Sequence, residues 1–164
     1  MNNSYAEAGD ILLEEFFADG GKIRKWRDWM AGAAWYETKE IACPMPRTAK
    51  SFEIFAHEVG HILANPDRKA PSWKRELQAS EYALEQFERF NLKLPRETKK
   101  HIYWYITYSV CQALNRGMKK VPDEVKKYTA GRIAKVPKVK FIRTVTADGW
   151  TYERRVVGYR HYAK

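Results

Sequence analysis

The segment His57-Glu58-Val59-Gly60-His61 constrains this chain more than any other, because its two histidines are four residues apart. On an α-helix, residues at that spacing lie on one face, one turn apart. The two imidazoles can then bind one metal ion, and Glu58 can reach a water molecule at that ion as a general base. Imidazole ligands and an open fourth position suit zinc, so the segment predicts a zinc-binding helix.

Local signals place this segment within a helix of about residues 48–64. Thr48 or Ser51 can cap its N-terminus after a break at Pro46. Pro66 stops the helix, since proline cannot continue it. On a helical wheel the two histidines lie opposite one broad apolar face. That face consists of Phe52, Phe55, Ala56, Val59, Ile62 and Leu63.

Gly60 lies inside this helix, where glycine costs about 1 kcal/mol relative to alanine. A close neighbour on the same face would explain why a glycine is needed there. The alternative interpretation of the motif, two solvated surface histidines, offers no reason for the glycine.

The third ligand is predicted from a second helix, of about residues 72–90. Glu76 falls in the middle of its apolar stripe, whereas Glu81, Glu85 and Glu88 fall on the polar side. A carboxylate on a buried face is costly unless it is paired or bound to a metal. Glu76 is therefore the predicted third ligand, with Glu81 in reserve. The alternative is that Glu76 is simply stabilised by the nearby helix N-terminus.

With these residues in place, the chain resembles the gluzincins, which combine HExxH with a downstream ExxA. Glu76 and Ala79 match the second pattern. The run from Glu76 to Ala83 is also similar to the E-x-E-A-x-x-F-A pattern of ImmA/IrrE-type metallopeptidases. Gln78 and Tyr82 stand where that pattern has its second Glu and its Phe.

The resemblance covers roughly residues 48–90 and implies a zinc peptidase with one zinc ion per chain. It implies Glu58 as the general base and a protein or peptide substrate, in the family often a repressor. The implied metal ligands are His57, His61 and Glu76.

Zincins commonly use a histidine or tyrosine from elsewhere in the chain to stabilise the oxyanion of the reaction. His101 is the candidate predicted here, because it begins an aromatic helical segment soon after the ligand helix. Its alternative role is that of a solvated first-turn residue. The other candidates are Tyr103, Tyr105, Tyr108 and His161.

Composition excludes some classes of protein. With 45% hydrophobic residues among 164, the chain can bury a core, but it has no apolar run long enough to cross a membrane. The N-terminus has no secretory signal pattern. Cys43 and Cys111 are the two cysteines, without a C-x-x-C motif, which favours free thiols and a cytoplasmic location.

The net charge of +10 is concentrated in the last third of the chain. Residues 1–115 carry 16 basic and 16 acidic side chains, whereas residues 116–164 carry 14 and 4. A basic segment with interleaved aromatic residues favours a polyanionic partner, first nucleic acid and second an acidic protein substrate. The alternative function of the chain is therefore nucleic-acid binding with a structural or vestigial metal site. The predicted contacts are Arg143, Arg154, Arg155 and Arg160. The alternative is that these charges only keep a small protein soluble.

Patterning in the N-terminal part predicts two helices and one strand. The first helix covers residues 5–18 and ends at Gly20-Gly21. A second, basic helix is predicted over residues 22–30, and a strand over 33–43. This strand could pair with an extended substrate or simply belong to the core. The core candidates of the first helix are Ile11, Leu12, Phe16 and Phe17.

The C-terminal part is predicted to hold two further helices and a β-hairpin. A long helix covers residues 96–116 with Gly117 as its C-terminal cap, and Pro122 opens a short one. Strands over residues 139–146 and 150–162 flank Asp148-Gly149, a strong turn signal. The hairpin is expected to complete the sheet beside the metal-binding helix, because an isolated hairpin is marginally stable.

Together these patterns predict the α+β class: a zincin-like, mainly helical domain with a small antiparallel sheet that includes the C-terminal hairpin. Residues 1–117 are expected to form the metallopeptidase core. Residues 118–164 are expected to pack on that core as a basic helix and hairpin.

Overall fold

The computed structural model describes residues 4–64, 67–129, 133, 135–146 and 149–161. The chain divides into two compact units, Met1–Ile102 and Tyr103–Lys164. Helices and strands both occur in the described residues, which confirms the predicted α+β class. The predicted boundary after residue 117 stays a prediction.

The first unit contains three helices, three strands and the beginning of a fourth helix in the described residues. In chain order these are α1 Tyr5–Ala18, β1 Lys22–Trp26, β2 Ala33–Trp35, β3 Glu40–Cys43, α2 Ala49–Leu63, α3 Ser72–Arg89 and α4 Arg96–Asn115.

Helix α1 has the predicted bounds, and Ser4 with Glu7 forms a capping box at its N-terminus. Leu12 and Phe16, one turn apart, are fully buried as predicted. The prediction that Ile11 and Phe17 join them is wrong, because these side chains are 41% and 49% exposed. They lie on the flanks of the buried face, where the helix turns back towards solvent.

Strand β1 replaces the basic helix predicted over residues 22–30. Its residues pair in parallel with β3, from Lys22 beside Glu40 to Trp26 beside Cys43. Ile23 and Trp26 are its partly buried side chains, and the indole of Trp26 lies 6.3 Å from the Phe55 ring of α2. Residues 22–26 form a strand because they pair with β3, some 18 residues further along the chain. The spacing of the charged residues within the segment does not reveal this pairing.

The single strand predicted over residues 33–43 is two strands. A turn separates β2 from β3, and Lys39 within it adopts a positive φ of 52°. The two strands pair antiparallel, with Trp35 beside Glu40. The sheet order is therefore β1-β3-β2, and the sheet is mixed rather than antiparallel as predicted.

The core of this unit forms where α1, α2, α3 and β3 meet. Phe52 of α2 is fully buried, and its ring packs edge-on against Phe87 at a centroid distance of 5.2 Å. Fully burying a Phe side chain contributes about 1.5–3 kcal/mol, so this aromatic contact joins α2 firmly to α3. The remaining buried apolar residues include Ala8, Ile41, Cys43, Phe55, Val59 and Ala83.

Helix α4 ends as predicted, with Gly117 at a φ of 114°. None of the helices in the described part of the chain combines the length and apolar composition needed to cross a lipid bilayer.

The second unit continues from α4 with a 3-10 turn at Asp123–Val125, which Pro122 precedes, and helix α5 at Lys126–Thr129. Strands β4, Lys135–Thr146, and β5, Gly149–His161, pair antiparallel. Within the described residues they form a sheet of their own, so the expectation that they complete the sheet beside α2 is wrong. β4 and β5 pair with each other from Lys135 beside His161 to Thr146 beside Gly149, whereas the sheet beside α2 consists of β1, β3 and β2. Asp148 of the predicted turn lies outside the described residues.

Candidate metal centre

Helix α2 presents His57, Glu58 and His61 from a stretch that is buried throughout residues 51–61. Its N-terminus is fixed by a capping box in which Thr48 and Ser51 satisfy each other's backbone N–H groups. The helix face that carries the histidines is covered by α3 and by the segment after β2. The two histidines are consequently only 6% and 7% exposed.

Helix α3 brings Glu76 to both histidines. One carboxylate oxygen, Oε2, lies 3.2 Å from Nε2 of His57 and 3.3 Å from Nε2 of His61. The two imidazole rings are perpendicular, with centroids 4.7 Å apart. Among the described residues, these three side chains form the one cluster whose ligand atoms could hold a metal ion.

The donor atoms and spacing of this cluster are compatible with a metal ion such as zinc. Zinc bonds of about 2.0–2.1 Å at the tetrahedral angle place ligand atoms about 3.3–3.4 Å apart. The two nitrogen–oxygen distances of 3.2 and 3.3 Å match that separation. Two imidazoles with one carboxylate also leave the fourth tetrahedral position to a non-protein ligand, as catalytic zinc sites require.

A hydroxyl group lies within hydrogen-bonding distance of the Nδ1 atom of each imidazole. The Ser80 hydroxyl lies 3.3 Å from Nδ1 of His57, and the Tyr36 hydroxyl lies 3.0 Å from Nδ1 of His61. With each Nδ1 beside a hydroxyl group, both Nε2 atoms face the Glu76 carboxylate. Such contacts orient histidine ligands and fix their tautomer in metal sites.

A close crossing of α2 and α3 makes these contacts possible. A side-chain carbon at Gly60 would lie 3.0 Å from Cβ of Tyr82 and 3.1 Å from Cα of Ala79. A Cβ at this position would require its neighbours on α3 to shift by a few tenths of an ångström. The expectation of a close neighbour beside Gly60 is confirmed.

Electrostatics within the cluster favour a charged carboxylate. Burial alone would raise the pKa of Glu76, but hydrogen bonds to His57 and His61 outweigh burial and lower this pKa to about 2. Burial alone would lower the pKa of His57, yet the carboxylates of Glu76, Glu58 and Glu53 raise it. The nearby carboxylates therefore stabilise positive charge at the imidazole of His57.

Glu58 lies beside the cluster rather than in it. Burial raises the pKa of its carboxyl group, against the opposing effect of His57 and His61. A side-chain carbon at Gly32 would lie 2.2 Å from Oε1 and 2.5 Å from Cγ of Glu58. Glycine at position 32 thus leaves the space that the Glu58 carboxylate occupies.

Two other predicted site residues lie elsewhere. Glu81, the reserve ligand, is not part of the cluster. His101, the predicted oxyanion stabiliser, is 35% exposed, and its Nδ1 lies 3.0 Å from the buried carboxylate of Glu53. This pair joins the beginning of α4 to α2, one turn before His57. A catalytic role for His101 stays a prediction that these contacts do not support.

The four arginines predicted to contact nucleic acid lie on the two strands of the second unit. Arg143 belongs to β4, and Arg154, Arg155 and Arg160 belong to β5. Arg155 is exposed and pairs in register with Lys140, which is also exposed. Nucleic-acid contact through these residues stays a prediction.

Three residues around the cluster were not identified from the sequence. Ser80 could have been, because it follows Glu76 by four residues and shares its helix face. Gly32 carried a weaker signal, since a glycine beside a strand often marks a close approach of backbone. Tyr36 carried none, because its contact with His61 spans 25 residues.

Cys43, the last residue of β3, is fully buried. Burial and the nearby charge of Glu58 raise the pKa of its thiol to about 12, so the thiol is protonated and unreactive near neutral pH. We expect a Cys111→Ser variant to react with a thiol-specific disulfide reagent only after unfolding, when one thiol per chain becomes available. Rapid, stoichiometric labelling of the native variant would show that Cys43 is accessible.

Comparisons with protein-family models, with curated proteins and with solved structures found no match to this chain.

Proposed function

We propose that this protein is a zinc-dependent metallopeptidase with a zincin-like catalytic unit. The observation that carries the proposal is the convergence of both Nε2 atoms and Glu76 Oε2 next to a buried glutamate on the same helix. His57, His61 and Glu76 would hold the ion. Bound zinc would polarise the substrate carbonyl and bring the pKa of a coordinated water to about 7.

Glu58 is the general base in this proposal. It follows His57 directly on α2, so its carboxylate lies at the side of the cluster. Its raised pKa suits a group that must first accept a proton from the attacking water and then donate it to the leaving amine. Burial also excludes bulk water, which strengthens the interactions of Glu58 with charge that develops at the scissile bond.

Strand β2 provides a place for the substrate backbone. It lies at an edge of the sheet, with Gly32 against Glu58 before it and Tyr36 against His61 after it. An extended peptide could add to this edge through main-chain hydrogen bonds. Such pairing would carry a peptide bond past Glu58 in a fixed orientation.

Replacing Gly32 by alanine tests this arrangement without removing any catalytic group. The new methyl group would occupy the space of the Glu58 carboxylate, which must turn away. We expect hydrolysis of a peptide mixture to fall about a hundredfold, because a displacement of about 1 Å in a catalytic group can cost that much. Zinc binding, measured by calorimetric titration, should be retained.

Gly9→Ala is the matched control, since it crowds Pro46 as tightly but outside the cluster. This control should lower the melting temperature and leave the specific activity of the folded protein unchanged. Full activity in Gly32→Ala would contradict the proposed position of Glu58.

A further inference from the structure

The connection between β1 and β2 exposes large apolar side chains next to the candidate metal centre. Trp29 is 54% exposed and Met30 is 48% exposed. Neither side chain is needed to complete the core of this unit. Exposed indole rings are costly in water and frequent in binding surfaces.

The position of Gly32 limits the distance between Trp29 and Glu58. A Cβ at Gly32 would overlap the Glu58 carboxylate, and three residues of chain span at most about 11 Å. Trp29 is three residues before Gly32. The N–H of Ala31 donates to the carbonyl of Trp29 at 2.9 Å, which folds the connection and shortens the span further.

Two cationic side chains lie near the exposed indole ring of Trp29. The Lys25 ammonium lies 5.8 Å and the Arg27 guanidinium 5.5 Å from the Trp29 ring centroid. Asp28, which lies between Arg27 and Trp29 in the sequence, is also exposed.

These features determine what kind of ligand the surface fits. The Trp29 ring and the Met30 side chain offer apolar contact area. Lys25 and Arg27 offer charge to a carboxylate, and guanidinium–carboxylate pairs combine charge with directed hydrogen bonds. A neutral or basic peptide would gain the apolar contact but form no ion pair with Lys25 or Arg27.

We propose that Lys25, Arg27, Trp29 and Met30 form a substrate subsite for peptides in which an acidic residue adjoins a bulky apolar residue. An extended peptide rises about 3.3 Å per residue, so this pair would lie within about three or four residues of the scissile bond. The proposal rests on the proposed peptidase function and adds the class of substrate.

Digestion of a proteome-derived peptide library gives the first test. The zinc-loaded protein is compared with its Glu58→Gln variant, and cuts that occur only with Glu58 present are aligned. We expect Asp or Glu next to an aliphatic or aromatic residue to be enriched within four positions on one side of the cut. Enrichment of basic residues there, or none, would overturn the subsite.

Matched peptides then identify the residues responsible. The best peptide should be cleaved with roughly tenfold higher kcat/KM than its copy with Gln in place of Glu. Arg27→Gln should erase most of this preference, and Trp29→Ala should lower kcat/KM roughly tenfold for both peptides. Asp28→Asn is the control, since it removes the local carboxylate and should not weaken the preference. Arg27→Glu should favour a copy with Lys at that position.

A binding measurement separates the subsite from the chemistry. A fluorescent copy of the best peptide should bind the Glu58→Gln variant, and Trp29→Ala in that background should weaken binding by a similar factor. Raising the salt from about 0.05 to about 0.5 M should weaken binding of the acidic peptide more than that of its Gln copy. Zinc content should be unchanged in every variant of the connection.

The outcomes distinguish the subsite from the peptidase function. If no peptide is cut in a Glu58-dependent manner, the proposed function fails and the subsite fails with it. If peptides are cut but the acidic and neutral copies behave alike and Trp29→Ala changes nothing, only the subsite is wrong.

Discussion

Replacing Glu58 by glutamine is expected to reduce peptide hydrolysis by a factor of about a hundred to ten thousand, with zinc binding retained. Glutamine has nearly the same shape as glutamate, so the buried helix should keep its packing. It cannot accept the proton of the attacking water, and the general-base step is lost. Initial rates on a peptide mixture, normalised to the zinc content of each preparation, provide the measurement.

Glu53→Gln is the matched control for this experiment. Glu53 is a second buried carboxylate on the same helix, but it pairs with His101 and is not one of the three residues of the cluster. The control should retain most of the activity. If Glu58→Gln keeps nearly full activity while its zinc is bound, the base lies elsewhere and the proposed mechanism is wrong.

Removing one histidine is expected to abolish stabilisation by zinc. For the unmodified protein, free zinc at about a thousand times Kd should add about 4 kcal/mol to the free energy of unfolding. This corresponds to a rise in melting temperature of roughly 8–16 °C for a protein of this size. His61→Ala removes one of three ligands, so its melting temperature should respond little to zinc.

Two carboxylate variants test whether Glu76 rather than Glu81 is the third ligand. Glu76→Gln should lose most of the zinc response, because a neutral amide is a poor zinc ligand. Glu81→Gln, on the same helix but outside the cluster, should respond like the unmodified protein. The opposite pattern, with Glu81 required and Glu76 dispensable, would show that the ligand set is wrong.

Local signals were sufficient to predict the ligand-bearing helices. Thr48 with Ser51 marks the beginning of α2, and the spacing of His57 and His61 places both on one face. The position of Glu76 within an apolar stripe predicted its need for a partner. Each inference depends on residues within a few turns of one another, which is the range over which sequence patterns are informative.

Non-local contacts account for what the sequence did not reveal. Residues 22–26 form a strand because β3 pairs with them, and their own alternation of charged and apolar residues is compatible with helix or strand. A helical wheel identifies the face that carries the histidines but does not show that α3 covers it. The contact of Tyr36 with His61 depends on where the turn after β2 lies.

Metal analysis of the purified protein tests the proposed centre most directly. Elemental analysis and calorimetric titration with zinc should give one zinc ion per chain for the unmodified protein. Glu76→Gln should bind zinc at least about tenfold to a hundredfold more weakly, since even residues that only orient metal ligands have effects of that size. A purified protein that contains no zinc, and binds none when zinc is added, would contradict the proposed metal centre and the peptidase function that depends on it.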